Sequence, residues 1–128
     1  MGSILDTVKK HLGIHPDYTH FDDELIVDTN AVLSVLFQLG FGSKAFSITG
    51  AVETWDDLFA LEKTDNLEFV KTYICMKVQM IFDTPTGSKQ TAYDSIISDL
   101  ENRIRIETDE TWIPGTTWDE FRSNKKTR

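Results

Sequence analysis

The 128-residue chain has a single cysteine, three prolines and no long run of apolar residues. One thiol cannot form an internal disulfide, so Cys75 favours an intracellular, reducing origin and the role of a small buried side chain. No apolar stretch approaches the roughly 20 residues that a membrane-spanning helix requires, and the N-terminal residues do not resemble a signal peptide. The sequence therefore predicts neither a disulfide-stabilised secreted domain nor a membrane protein.

Basic residues are also in the minority. Thirteen Lys and Arg stand against twenty-one Asp and Glu, which gives a formal charge of −8. Affinity for nucleic acid rests largely on cations that neutralise phosphates, and an acidic surface repels polyanions. The balance argues against a free-standing nucleic-acid binder. A hydrophobic fraction of 40% and this length are ordinary for one soluble globular domain.

Enzyme motifs are missing as well: the chain has no nucleophile elbow, no HExxH and no glycine-rich phosphate loop between a strand and a helix. His11 and His15 have the four-residue spacing of two metal ligands. However, Gly13 and Pro16 are expected to end the helix between them, and no cysteine cluster accompanies them. We expect these histidines to be solvated, and His20, which precedes a helix start, to be structural.

Two acidic clusters could be taken for paired catalytic or metal-binding carboxylates. They lie at residues 22–24 and 56–57, where helices are predicted to begin. Acids in a first helical turn interact favourably with the helix dipole, by a few tenths to about 1 kcal/mol each. This structural role accounts for both clusters. The sequence predicts no catalytic centre, cofactor or metal site.

The most informative stretch is residues 66–83, which have an unusually broad apolar surface at the helical period. One stripe comprises Leu67, Val70, Ile74, Val78 and Ile81, and a second comprises Phe69, Tyr73, Met76 and Met80. Together they span about 200° of the helix, whereas an ordinary surface helix has one stripe a little over 100° wide. Such a helix must be covered on two sides, by the chain's own core and by a long neighbouring helix or another subunit.

Side chains of Met, Tyr and Phe are enriched at protein interfaces. The second stripe is compatible with plain core, but the first stripe already serves a core. The hypothesis is therefore that Phe69, Tyr73, Met76 and Met80 contribute to a contact between subunits.

Capping residues and periodicity predict the remaining helices. A short helix is expected from Ser3 to Gly13, a second from Asp22 or Asp23 to Gly40, a short one after Thr54, and a last one from Ser88 to about Ile106. Residues 40–53, with three glycines, read as an extended loop. The predicted fold is mostly α: a small bundle of about four main helices plus a short helix, a long middle loop and an extended C-terminal tail.

Helical periodicity stops after Glu107, which predicts a helical domain over 1–107 and a flexible arm over 108–128. The arm is polar and cannot bury enough surface to fold alone. It nevertheless contains Trp112, Trp118 and Phe121. These aromatic residues are interpreted as anchors of a docking arm that becomes ordered on a partner.

Three segments carry a resemblance to a known family. The central helix runs into residues 81–85 (IFDTP), and the last helix ends in residues 99–104 (DLENRI). These segments, with the acidic start DDELI at 22–26, resemble the head-to-tail connector (adaptor) proteins of tailed bacteriophages over most of residues 4–106. The chain departs from that pattern at Thr84, where a proline is often found, and at residues 102–104.

The resemblance implies a structural subunit without catalytic activity. Family members form a ring, usually of about twelve copies, beneath the portal at the capsid vertex. The ring extends the DNA channel and offers a platform for stopper and tail proteins. The resemblance thus implies a place at the head–tail interface of the virion, and in the host cytoplasm during assembly. DNA would pass through the acidic lumen without sequence-specific binding, and the arm would dock on the portal or on an adjacent subunit.

An alternative function is a small helical, non-enzymatic regulatory module. A DNA-reading version is disfavoured, because Lys89, Arg103 and Arg105 of the last helix are offset by acids. A protein-binding version would also use an apolar stripe and a tail that folds on binding. Assembly with a portal protein distinguishes the two, because a regulator would instead capture one soluble partner.

Overall fold

The computed structural model describes residues 2–42, 44–61 and 68–108. These ranges form five α-helices and, within them, no β-strand: α1 (Ile4–His11), α2 (Asp22–Gln38), α3 (Trp55–Phe59), α4 (Glu68–Phe82) and α5 (Gly87–Thr108). The prediction of a mostly helical small bundle is confirmed. The predicted arm lies outside the described residues from 109 onward.

Local sequence accounts for most helix ends. The Ser3 hydroxyl accepts a hydrogen bond from the Asp6 amide at 2.9 Å, which caps α1. Thr54 and Asp57 form a complete capping box at the start of α3. Gly13 follows α1 with a φ of 78°, a left-handed conformation that glycine adopts at little cost.

Two predicted starts are shifted. The helix α2 includes Asp22, and its N-cap is Phe21, which makes no side-chain capping bond. The acidic first turn of α2 therefore acts through its charge near the helix dipole rather than as an N-cap. The helix α5 begins at Gly87, one residue before the predicted Ser88.

The helix α4 is the centre of the bundle, as its broad apolar surface predicts. It packs against α1, α2 and α5. Val70, Ile74 and Val78 of its first stripe are fully buried, whereas Ile81 at the end of that stripe is half exposed. Full burial of a branched aliphatic side chain contributes about 1.5–3 kcal/mol, so these three residues anchor the core.

The middle loop is extended but attached to the bundle. Its Phe41 and Ile48 are buried, and Asn30 of α2 hydrogen-bonds both backbone polar groups of Ile48. Glu53 accepts hydrogen bonds from the amide and hydroxyl of Thr49 at 3.0 and 2.9 Å. The loop is thus positioned by side chains rather than by a sheet.

A buried lysine connects the end of α1 with the start of α2. Lys9 is only 1% exposed. Its Nζ donates to the carbonyl oxygen of Pro16 at 2.8 Å and lies 2.8 Å from Oδ1 of Asp22. Paired and hydrogen-bonded in this way, the ammonium group is compensated inside the fold, and it fixes the turn between the two helices.

Candidate functional site

The stripe that was predicted to form a subunit contact lies only partly on the surface. Tyr73 is fully buried and Met76 is 6% exposed, whereas Phe69 and Met80 are half-buried at the edge of the core. The chain's own helices therefore cover the middle of the stripe, which the sequence could not distinguish from cover by another subunit. In this conformation only Phe69 and Met80 offer surface to a neighbour, and their contact with a second subunit stays a prediction.

Tyr73 instead connects α4 with α5. Its hydroxyl donates to Oε2 of Glu101 at 2.9 Å, and Nζ of Lys77 lies 3.6 Å from the same oxygen. Burial, together with this hydrogen bond and the negative charge of Glu101, raises the pKa of Tyr73. The phenol is therefore neutral at physiological pH and acts as a buried hydrogen-bond donor.

Exposed apolar residues lie elsewhere on the helices. On α2, Val27 is 67% exposed and Phe37 is 42% exposed. Ala31 and Ser34 between them are also exposed. By helical spacing Val27, Ala31 and Ser34 point away from the face that packs on α4. Residues 29–38 contain no charged side chain, so the outer face of α2 is uncharged after its first two turns.

A second exposed apolar set is on the other helices. Ile81 of α4 is 49% exposed and Ile96 of α5 is 44% exposed. Because α2 and α5 each pack on α4, the fold presents apolar residues on more than one side. Exposed apolar residues that stand singly are normal, whereas contiguous ones mark contact surfaces.

The predicted polar candidates do not assemble into a chemical site. The described residues contain no group of three or more His, Cys, Asp and Glu that could hold a metal ion. His15 accepts a hydrogen bond from the Asp17 amide at 3.1 Å and remains exposed. Asp57 is used as a helix cap and Asp22 as the partner of Lys9.

An open groove of about 440 Å³ lies between α1 and α4. It is lined by Thr7, Lys10, His11, Lys71, Thr72 and Cys75. Its volume falls within the range of about 300–1,000 Å³ that is typical of ligand pockets. Burial raises the pKa of the Cys75 thiol to about 11, so the cysteine at this groove is a neutral thiol at physiological pH.

One end of this groove is fixed by a hydrogen-bonded trio from three helices. Nε2 of His11 lies 2.8 Å from Oε1 of Gln79, and the Tyr93 hydroxyl donates to the same oxygen at 3.0 Å. Since the amide oxygen only accepts, His11 presents an N–H to it. Gln79 thus connects α1, α4 and α5 in one network.

Sequence patterns did not predict the groove, because its residues come from helices 60 positions apart and only packing brings them together. A signal for the burial of Lys9 was present, however. Leu5, Val8, Lys9 and Leu12 have the spacing of one helical stripe, which places the lysine on the inner face of α1. Trp112, Trp118 and Phe121 lie outside the described residues, so the docking arm stays a prediction.

Within the described ranges, no helix has both the length and the apolar character needed to cross a membrane. No curated protein and no solved structure matches the chain. A family model does match, and its description is phage connector protein. The match extends from residue 4 to residue 111, so it includes all five helices and every residue of the groove. The chain therefore belongs to the phage connector protein family, and its role is that of a phage connector.

Proposed function

We propose that this chain is the subunit of a ring, of about twelve copies, that docks beneath the portal of a tailed phage and extends its DNA channel. The observation that carries the proposal is the family match over residues 4–111, which covers the whole described bundle. The opposite face of the ring serves as the platform for stopper or tail-completion proteins. The role is structural and involves no catalytic step.

The surface of the bundle supports a ring rather than a two-fold dimer. A ring requires a heterologous interface, in which two different faces of the subunit meet. The outer face of α2 is one such face, since it carries the exposed Val27 and Phe37 and has no charged side chain from residue 29 to residue 38. The second comprises Phe69 and Met80 at the core edge, with Ile81 and Ile96 beyond them. In the proposed ring the first face of one subunit contacts the second face of the next.

The acidity of the chain suits a channel for DNA. A formal charge of −8 disfavours adhesion of phosphates to the wall, so DNA passes without sequence-specific binding. The middle loop, residues 40–53, is the proposed lumen or axial contact, with Asn30 setting its position on α2. The arm carrying Trp112, Trp118 and Phe121 is proposed to dock on the portal or on an adjacent subunit.

The test of function is assembly with the portal. The full-length chain is mixed with the purified portal protein of the same virus and examined by size-exclusion chromatography and electron microscopy. We expect a portal complex that carries an additional annulus of this chain. Absence of any complex over a range of salt and protein concentrations would overturn the proposal. Capture of one soluble host protein, with no annulus, would favour the regulatory module instead.

The interface is tested at its exposed edge. Tyr73 and Met76 are unsuitable, because a charge at a buried position would unfold the subunit. Met80→Asp is therefore compared with Gln90→Asp, a change at an exposed position of α5. Circular dichroism first establishes that both variants are folded. We expect Met80→Asp to lose annuli and Gln90→Asp to keep them, and equal assembly of the two would refute the assignment.

A further inference from the structure

The groove between α1 and α4 is the surface from which we infer a specific contact. On the α4 side it is lined by Thr72 and Cys75. Lys71 also lines the groove, and its Nζ lies 5.8 Å from the centroid of the buried Trp55 ring. The indole Nε1 donates to the Thr7 hydroxyl at 2.9 Å, and this bond braces the α1 side. The groove therefore has fixed sides.

The charge of the groove is opposite to that of the chain. Two lysines line it, Lys10 from α1 and Lys71 from α4, although the whole chain has a formal charge of −8. Nζ of Lys71 also lies 3.5 Å from Oε1 of Glu68, which offsets part of the charge of Lys71. Lys10 is exposed, so its ammonium group remains available to an occupant, whereas Nε2 of His11 is bonded to Gln79. Such a groove is complementary to an acidic segment that also carries a bulky apolar side chain.

The chain itself contains such a segment immediately after α5. Residues 109–112 are Asp-Glu-Thr-Trp, two carboxylates followed after one residue by an indole. We propose that residues 109–112 of one subunit dock in the α1–α4 groove of the neighbouring subunit, with the acids at Lys10 and Lys71 and Trp112 over Thr72 and Cys75. The inference rests on the proposed ring, and it assigns the arm's first partner to an adjacent subunit.

The course of α5 favours a neighbour's groove over the chain's own. Tyr73 bonds Glu101 and Gln79 bonds Tyr93, so α5 runs antiparallel to α4 and ends beside its start. The side of α4 that bears Tyr73 is about 160° from the side that bears Lys71 and Cys75, at about 100° per residue. The chain's own tail would have to pass around the start of α4, whereas a neighbour's tail approaches without that detour.

Docking of a tail in a neighbour's groove is also a heterologous contact, the type that a ring requires. The donor element and the acceptor element are different parts of one chain, so each subunit gives one contact and receives one. Repetition of such a heterologous contact closes into a ring when the rotation allows it.

The test is site-specific disulfide formation in the full-length chain. Thr72 is exposed at the groove, so Thr72→Cys is combined with Thr111→Cys in a Cys75→Ala background, which leaves Trp112 in place. The protein is oxidised with copper phenanthroline and oxygen, alone and in the portal complex. Non-reducing electrophoresis then separates linked multimers from monomers. We expect a ladder of multimers that collapses on reduction.

A matched control moves only the groove cysteine. Ser98→Cys replaces Thr72→Cys, because Ser98 is an exposed residue on α5 outside the groove. We expect the linked fraction to fall to background. Charge reversal tests the proposed ion pairs. The double substitution Lys10→Glu and Lys71→Glu is expected to reduce the linked fraction about fivefold. Addition of Asp109→Lys and Glu110→Lys to that variant is expected to restore it.

Each of the remaining outcomes either supports or overturns the proposed contact. A disulfide within one monomer, detected as a monomer band without free thiols, overturns the assignment to a neighbouring subunit. Annuli on the portal without any groove-specific disulfide overturn the groove contact while the proposed function stands. A ladder without portal binding supports the groove contact and refutes the portal role.

Discussion

The carboxamide of Asn30 holds both backbone polar groups of Ile48. Nδ2 donates to the Ile48 carbonyl oxygen at 3.0 Å, and the Ile48 amide donates to Oδ1 at 2.7 Å. One side chain on α2 thus supplies the pairing that a neighbouring strand would supply in a sheet. This pair explains why a glycine-containing loop can have a buried residue at its centre without a strand partner.

Replacement of Asn30 by alanine is expected to destabilise the fold by about 2–3 kcal/mol, because two partly buried backbone groups lose their partner. Urea unfolding followed by circular dichroism measures the change. Gln38→Ala, at an exposed position of the same helix, is the control and is expected to stay within about 0.5 kcal/mol of the parent. Equal stability of the two variants would contradict the anchoring role.

Lys9 and Lys10 are adjacent in the sequence, but their replacement by alanine is expected to change the stability of the fold by different amounts. Lys9 is buried against Asp22 and the Pro16 carbonyl, whereas Lys10 is exposed. Lys9→Ala is expected to cost about 3 kcal/mol, because it leaves Asp22 without its cation and opens a cavity. Lys10→Ala is expected to change the free energy of unfolding by less than about 0.5 kcal/mol. Thermal unfolding of both variants provides the comparison, and similar melting temperatures would refute it.

The same Thr→Val substitution is expected to have opposite effects on stability at two positions. The Thr7 hydroxyl donates to the Ser3 carbonyl and accepts from the Trp55 indole, each at 2.9 Å. The Thr29 hydroxyl is fully buried and has no hydrogen-bond partner among the described residues. Thr7→Val is expected to destabilise by about 1–2 kcal/mol, and Thr29→Val to be neutral or stabilising by about 1 kcal/mol. Guanidinium unfolding tests the order, and a more destabilising Thr29→Val would contradict it.

Stability is expected to fall at alkaline pH. Burial raises the pKa of Cys75 from 9.0 to about 11, so the folded state binds this proton more tightly than the unfolded chain does. The contribution is complete below pH 9 and is lost as the pH rises through the folded pKa, in total about 2–3 kcal/mol. Burial raises the pKa of Tyr73 as well, so its contribution is lost above about pH 10.

Unfolding free energies measured between pH 7 and pH 11 test this dependence. Cys75→Ala is expected to give a shallower alkaline decline than the parent protein. Ser34→Ala is the control, because Ser34 is exposed and has no titratable group, and it should reproduce the parent's slope. An unchanged slope in Cys75→Ala would show that the thiol does not contribute.

Local signals were sufficient to predict several elements. Ser3 and the Thr54–Asp57 pair form helix caps because their side chains satisfy amides within three residues of themselves. The breadth of the apolar surface on α4 predicted its central place for a similar reason, since a helix that is apolar over most of its circumference must be enclosed. The segments at 81–85 and 99–104 carried the resemblance that the family match supports.

The sequence by itself determined the helices, the central helix and the connector family, because caps, periodicity and short motifs are encoded in neighbouring residues. Only the tertiary structure decided that the chain's own helices cover Tyr73 and Met76, that Lys9 finds its charge partner at Asp22, and that α1 and α4 form a basic groove. Each of these depends on distances between residues far apart in the chain. Hydrophobic burial and charge pairing depend on what lies opposite in space, which periodicity along the sequence does not specify.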